Sequence, residues 1–121
     1  MKKIKEQIQV AVNIYQSGNF SKAELLTKKL INNNPKVAFL YNLLGLILSG
    51  QKKTDQAMKC YERGINIDPT YGMIYNNMGL LFFKNKSISS IKKAEYFYKK
   101  AISLNQRIPE PHNNLGNLYD Y

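Results

Sequence analysis

The phrase "YNLLG", Tyr41–Gly45, returns 34 residues later as "YNNMG", Tyr75–Gly79, and 37 residues after that as "HNNLG", His112–Gly116. A 121-residue chain that restates itself in this way is built from stacked copies of one unit. Aligned on the three glycines, residues 38–71 carry Tyr41, Leu44, Gly45 and Leu48, then Ala57, Tyr61, Gly64 and Pro69. Residues 72–108 carry Tyr75, Met78, Gly79 and Phe82, then Ala94, Tyr98 and Ala101. Residues 4–37 hold Val10, Ala11, Ile14, Ala23, Leu30 and Pro35 in the corresponding slots, and a fourth copy opens at Pro109 with His112, Leu115, Gly116 and Tyr119.

The spacing has a physical meaning. The first set of each unit falls at i, i+3, i+4 and i+7, one stripe of a helix. The second set is a small residue, an aromatic four later and a small residue three after that, which predicts another helix with close contacts at the small positions. Breakers lie between the two, at Ser17–Asn19, Ser49–Asp55 and Asn85–Ser90. Pro35 and Pro69 close the second helices, because proline disfavours helical backbone in the residue before it. Each unit is therefore a helical hairpin, and stacking hairpins buries a continuous core.

The longer third interval is local. Gly45 to Ala57 spans 12 residues and Gly79 to Ala94 spans 15, so three extra residues fall in "KNKSISSIKKA". Three residues are close to one helical turn. They either extend the second helix at its N-terminus, capped by Ser87, Ser89 or Ser90 with Ile88 and Ile91 near the buried face, or loosen the turn.

The pattern aromatic-x2-Leu-Gly-x2-aromatic, then Ala-x3-aromatic-x2-small, then Pro, resembles the tetratricopeptide repeat family, from about Ile4 to Tyr121. Departures are Gln7 and Thr27 in aromatic slots of the first repeat and Gln106 where proline is usual. The resemblance implies an all-α fold of the alpha-alpha superhelix class, a solenoid of antiparallel helical hairpins. One domain, 1–121, would hold repeats 4–37, 38–71 and 72–108, with the insertion near 86–91, and a partial repeat at 109–121.

The resemblance also implies a groove lined by first helices. Its apolar positions are Val12, Tyr15, Phe39, Leu46, Met73, Leu80 and Phe83, which serve either a ligand or the contacts between neighbouring repeats. Its polar positions are Asn42, Asn76, Asn77, Asn113, Asn114 and Asn117. A carboxamide both donates and accepts, so a row of them can grip a peptide main chain of any sequence. Family members that bind chaperone C-terminal tails use a clamp of Lys, Asn, Asn, Lys and Arg. Those slots here hold Ile8, Val12, Leu43, Met73 and Asn77, which argues against chaperone tails as partners.

Charge suggests a rival surface. The formal net charge is +10, nearly all from lysine, and Lys22, Lys28, Lys29, Lys59, Arg63, Lys92, Lys93, Lys99 and Lys100 fall on second helices away from the alanines. Lysine with abundant asparagine, isoleucine and tyrosine is also what AT-rich codon usage produces. The face is then either a solvated wall or a site for nucleic acid or an anionic membrane. Against single-strand binding stand the scarcity of arginine and the want of an exposed aromatic platform.

No catalytic set can be assembled. His112 is the only histidine and sits in the slot of Tyr41 and Tyr75, where a packing role is expected. With His112 given to packing, no other histidine remains for a Ser-His triad or a His-rich metal site, and no glycine-rich phosphate loop occurs. A lone cysteine, Cys60, excludes an internal disulfide and reads as a half-buried packing residue. No enzyme, cofactor or metal is expected. The apolar run of "MKKIKEQIQVAV" is interrupted by Glu6, Gln7 and Gln9, which argues against a secretory leader and for the cytoplasm. The last helix is expected to leave one side of Leu115, Leu118 and Tyr119 uncovered, so that the chain either leads into a longer protein or self-associates through 109–121. The function expected is non-catalytic: a protein–protein interaction scaffold holding a peptide or protein segment in its groove.

Overall fold

The structure is a computed structural model that describes residues 3–85, 87–105, 107 and 109–120. Among the described residues there are seven helices and no strand: α1 (Ile4–Gln16), α2 (Phe20–Asn33), α3 (Ala38–Gly50), α4 (Thr54–Ile67), α5 (Gly72–Asn85), α6 (Ile88–Leu104) and α7 (Pro109–Asp120). They fall into two compact units, Met1–Ile67 and Asp68–Tyr121.

In the first unit α1 packs on α2, α2 on α3 and α3 on α4, and α1 also touches α3. The core joins Ala11, Ala23, Leu30, Leu40, Leu43 and Ile47. α3 is buried from Leu40 through Gly45 and again at Ile47 and Leu48. A helix apolar nearly all round has to be a central one. In the second unit α5 packs on α6, α6 on α7, and α5 touches α7. Ala94, Tyr98 and Leu118 form its centre, with Leu80, Phe82, Phe83, Ile91 and Leu115 packed against them.

The small positions are where two helices approach. Ala23, Ala57 and Ala94 are fully buried. A Cβ on Gly45 would overlap the ring of Tyr61, and one on Gly79 would lie 2.6 Å from Tyr98 Cε1. Tyr61, Tyr98 and Thr27 occupy one slot of the three second helices, and all are buried. Only the first repeat carries a Cβ opposite that slot, at Ala11, and it has the smaller Thr27 there.

The turns refine the expected boundaries. The turns are shorter than Ser49–Asp55 and Asn85–Ser90, since helix runs on through Gly50 and Asn85 and restarts at Thr54 and Ile88. Helical Gly50 makes room for the Phe20 ring, whose Cζ lies 3.0 Å from where a Cβ would stand. The chain instead turns at Lys52, which adopts φ 62, while Lys52 N–H donates to Ser49 O at 2.9 Å and Lys53 N–H to Leu48 O at 2.9 Å. This is a Schellman ending with lysine where glycine is the usual residue. One repeat earlier the same slot is Gly18, with φ 87.

The three extra residues extend a helix. α6 has 17 residues against 14 in α4, and Ser87 Oγ accepts from Ser90 N–H at 3.1 Å as the N-cap. Ile91 packs on the Ala94–Tyr98–Leu118 cluster; the side chain of Ile88 lies outside what is described. Asn34 precedes Pro35 with φ −143 and ψ 69, so α2 stops as proline requires. Tyr41 Oη then donates to Pro35 O at 2.9 Å, and Tyr75 Oη to Pro69 O at 3.1 Å. Gln106, in the third proline slot, lies outside the described residues.

Two expectations need correction. His112 is exposed, not buried as its slot suggests. Leu118 is not left uncovered: it is 4% exposed, held by Ala94 and Tyr98 of α6, and Leu115 is half-buried on the same cluster. Tyr119's side chain lies outside the described residues.

Candidate functional site

The thirteen groove candidates separate by burial. In α1, Val12 and Tyr15 are half-buried and pack on the core of the first unit. In α3, Phe39 is exposed, Leu46 is half-buried and Asn42 is buried. In α5, Asn76 and Asn77 are buried, Met73 is half-buried, and Leu80 and Phe83 are half-buried against the second unit's cluster. In α7, Asn113 and Asn117 are exposed and Asn114 is half-buried.

Two of the asparagines bind each other. Asn114 Nδ2 donates to Asn76 Oδ1 at 2.9 Å, tying α7 to α5. Asn76 is 1% exposed, so its oxygen needs an internal partner and has found one. The carboxamides facing solvent are therefore those of Asn113 and Asn117, and the most exposed apolar side chain of the set is Phe39, at 39%.

The second-helix lysines stand as expected. Lys22, Lys28, Lys29, Lys59, Arg63, Lys92, Lys93 and Lys99 are exposed and Lys100 is half-buried. Lys28 pairs with Glu24 at 2.6 Å, and Lys53 approaches the same carboxylate at 3.6 Å. Hydrogen bonds from Lys28 and Gln51 hold the Glu24 carboxyl below the usual carboxylate range. Burial pushes the Cys60 thiol up, against the opposing influence of Arg63 and Lys28.

An aromatic cluster on α5 and α6 was not anticipated. Phe97 stacks on Phe82 at 5.5 Å and on Tyr75 at 6.4 Å, and Tyr96 meets it edge-on at 5.2 Å. Lys93 Nζ lies 5.3 Å above the Phe82 ring and Lys100 Nζ 5.9 Å above that of Tyr75. Tyr96 is 63% exposed, an exposed ring that the sequence pattern does not mark. Its signal was the pair Tyr96–Phe97 among lysines, hidden because only one of two adjacent rings on a helix can face inward.

Among the described residues no group of three or more His, Cys, Asp or Glu could hold a metal ion. No helix among them is long and apolar enough to cross a membrane.

Tandem antiparallel helical hairpins, with small residues where the two helices meet, define a helical-repeat protein. Residues 45–86 match the family model for the TPR repeat. The chain is 34% identical over 76 residues to the uncharacterized protein ycf37 of Pyropia yezoensis, which covers 63% of this chain and 41% of that protein. Over 94 residues it is 28% identical to anaphase-promoting complex subunit 3 of Schizosaccharomyces pombe, covering 78% of this chain and 14% of that protein. It thus spans less than half the length of either relative. The first TPR of Spaghetti (RPAP3), solved bound to the HSP90 peptide SRMEEVD, superposes with a TM-score of 0.84 at 16% identity, covering 98% of this chain and 91% of that one. The structure of Naa15/Naa10 bound to HypK-THB gives a TM-score of 0.82 at 20% identity, covering 97% of this chain and 17% of that one. At such identities the likeness is one of fold, the all-α superhelical repeat class.

Proposed function

We propose that the chain is a non-catalytic scaffold that holds a peptide or protein segment against its first helices. The observation that carries this reading is side-chain chemistry within each unit: Phe39 is exposed on α3 of the first, and the carboxamides of Asn113 and Asn117 face solvent on α7 of the second. Carboxamides satisfy peptide main-chain groups and an exposed aromatic supplies an apolar anchor. A solved structure of like fold with its HSP90 peptide is consistent with such use. That peptide is acidic at Glu, Glu and Asp, whereas the clamp slots here hold Ile8, Val12, Leu43, Met73 and Asn77, so a less acidic segment suits this chain.

The test is affinity for peptides selected on the full chain from a random display library. Phe39→Ser and Asn117→Ala should each weaken binding by about tenfold, the scale of an interface anchor. Unchanged affinity in both, with loss on reversing Lys92, Lys93 and Lys99 to Glu, would reject the reading.

A second reading rests on α6. Exposed Tyr96 beside Lys92, Lys93 and Lys99 is a stacking surface with cations around it, the combination that single-stranded nucleic acid uses. It requires salt-sensitive binding of an oligonucleotide that Tyr96→Ala weakens.

A further inference from the structure

The scaffold reading uses first helices and leaves the outer side of α2 and α4 without a role. Among the described residues those two helices do not pack on one another; each packs on α3. The gap between them is an open trough of about 870 Å³. Tyr41 and Leu44 of α3 form its floor, with Ile31 and Cys60 on its walls. Leu25 stands on its edge, 75% exposed.

The rim is cationic. Lys29, Lys59 and Arg63 line it and have no ion pair among the described residues, while Lys28 is already engaged by Glu24. Glu62 is the only acid among the lining residues. A bare anion would leave the leucine and the floor wet. A nucleobase would find no plate to stack on, since the Tyr41 ring is 7% exposed and its hydroxyl is held by Pro35 O. A second copy of the chain would bring another +10 of formal charge. An aliphatic stripe flanked by carboxylates satisfies floor and rim together. α2 has 14 residues, which gives the trough a length of about 20 Å, room for about four turns of a helix.

We propose that the α2–α4 trough is a docking site for an acidic amphipathic helix of a partner protein, with aliphatic residues on its buried stripe and Asp or Glu beside them. The site shares no residue with the face invoked for peptide capture, so each stands or falls alone.

The experiment uses the full chain and a fluorescein-labelled synthetic helix of about four turns, leucines on one stripe and glutamates flanking it. Binding is followed by anisotropy and by the alkylation rate of Cys60, the chain's single cysteine, which lines the trough. The peptide should bind, its leucine-to-serine version should not, and binding should slow alkylation of Cys60. Leu25→Asp should weaken binding about tenfold or more, as should the triple change Lys29→Glu, Lys59→Glu, Arg63→Glu. The same charge change on α6, at Lys92, Lys93 and Lys99, should have under about a third of that effect. Leu25→Ser serves in place of Leu25→Asp should circular dichroism show the latter unfolded. No binding by the full chain overturns the proposal. So does equal binding of the serine peptide or of a single-stranded DNA oligonucleotide, displacement by anionic vesicles, or equal loss from the α6 variant.

Discussion

The ring of Tyr61 lies so close over Gly45 that a Cβ there would overlap it, whereas a Cβ on Gly116, the same slot of α7, would meet nothing within 4 Å among the described residues. The two glycines thus answer to different physics. Gly45→Ala should cost about 2 kcal/mol, because overpacking outweighs the gain in helix propensity. Gly116→Ala should instead add up to about 1 kcal/mol. Urea unfolding of the two variants measures both, and the same sign in both would show that the ring contact does not govern the slot.

Lys52 and Gly18 form a second matched pair, both in left-handed backbone at corresponding turns. Lys52→Gly should stabilise by about 1 kcal/mol through relief of left-handed strain. Gly18→Ala should destabilise by about the same amount, and since its Cβ would touch nothing the effect is one of backbone alone. Thermal unfolding is the measurement.

Tyrosine hydroxyls separate in the same manner. Tyr41 Oη donates to Pro35 O, so Tyr41→Phe should cost about 1 kcal/mol. Tyr98 Oη is buried and has no hydrogen-bond partner among the described residues, so Tyr98→Phe should be neutral or stabilise by about 1 kcal/mol. Burial pushes Tyr98 up to about 12. Its folded value lies above the unfolded value of about 10, so stability intact below pH 10 should fall as pH rises from there toward 12. Tyr98→Phe should blunt that loss.

Glu24 acts at the other end of the scale. Its carboxylate takes hydrogen bonds from Lys28 and from Gln51 Nε2 at 2.7 Å, linking α2 to the turn after α3. Its folded value is lowered, so the contribution is present above the ordinary carboxylate range, about 4.3, and is lost as pH falls through the folded value. Denaturation midpoints between about pH 7 and 3 should therefore drop less steeply for Glu24→Gln than for the parent chain.

Fold was legible in the sequence because contact between helices demands small residues at fixed intervals. Ala23, Ala57 and Ala94 locate the close approaches, and counting places three extra residues before Ala94 without deciding between a longer helix and a looser turn. Turn details were less legible. Gly50 reads as a breaker but sits in a helix because the Phe20 ring fills the space beside it, and nothing local marks Lys52 as left-handed. The candidate site was legible only in part. Slot periodicity places Asn42, Asn76 and Asn77 on first helices but cannot say that they are buried, since burial depends on what packs across from them. His112 errs the opposite way, taking a packing slot yet lying exposed. The trough between α2 and α4 depends on two helices failing to meet, which no sequence interval encodes.

The scaffold reading is tested most directly by amide chemical-shift mapping on the full chain titrated with a display-selected peptide. Shifts should concentrate on first-helix positions around Phe39, Met73 and Asn117 and persist at about 0.5 M salt, where exposed ion pairs are strongly screened. Shifts confined to α6 near Tyr96 and its lysines, and abolished by that salt, would contradict it.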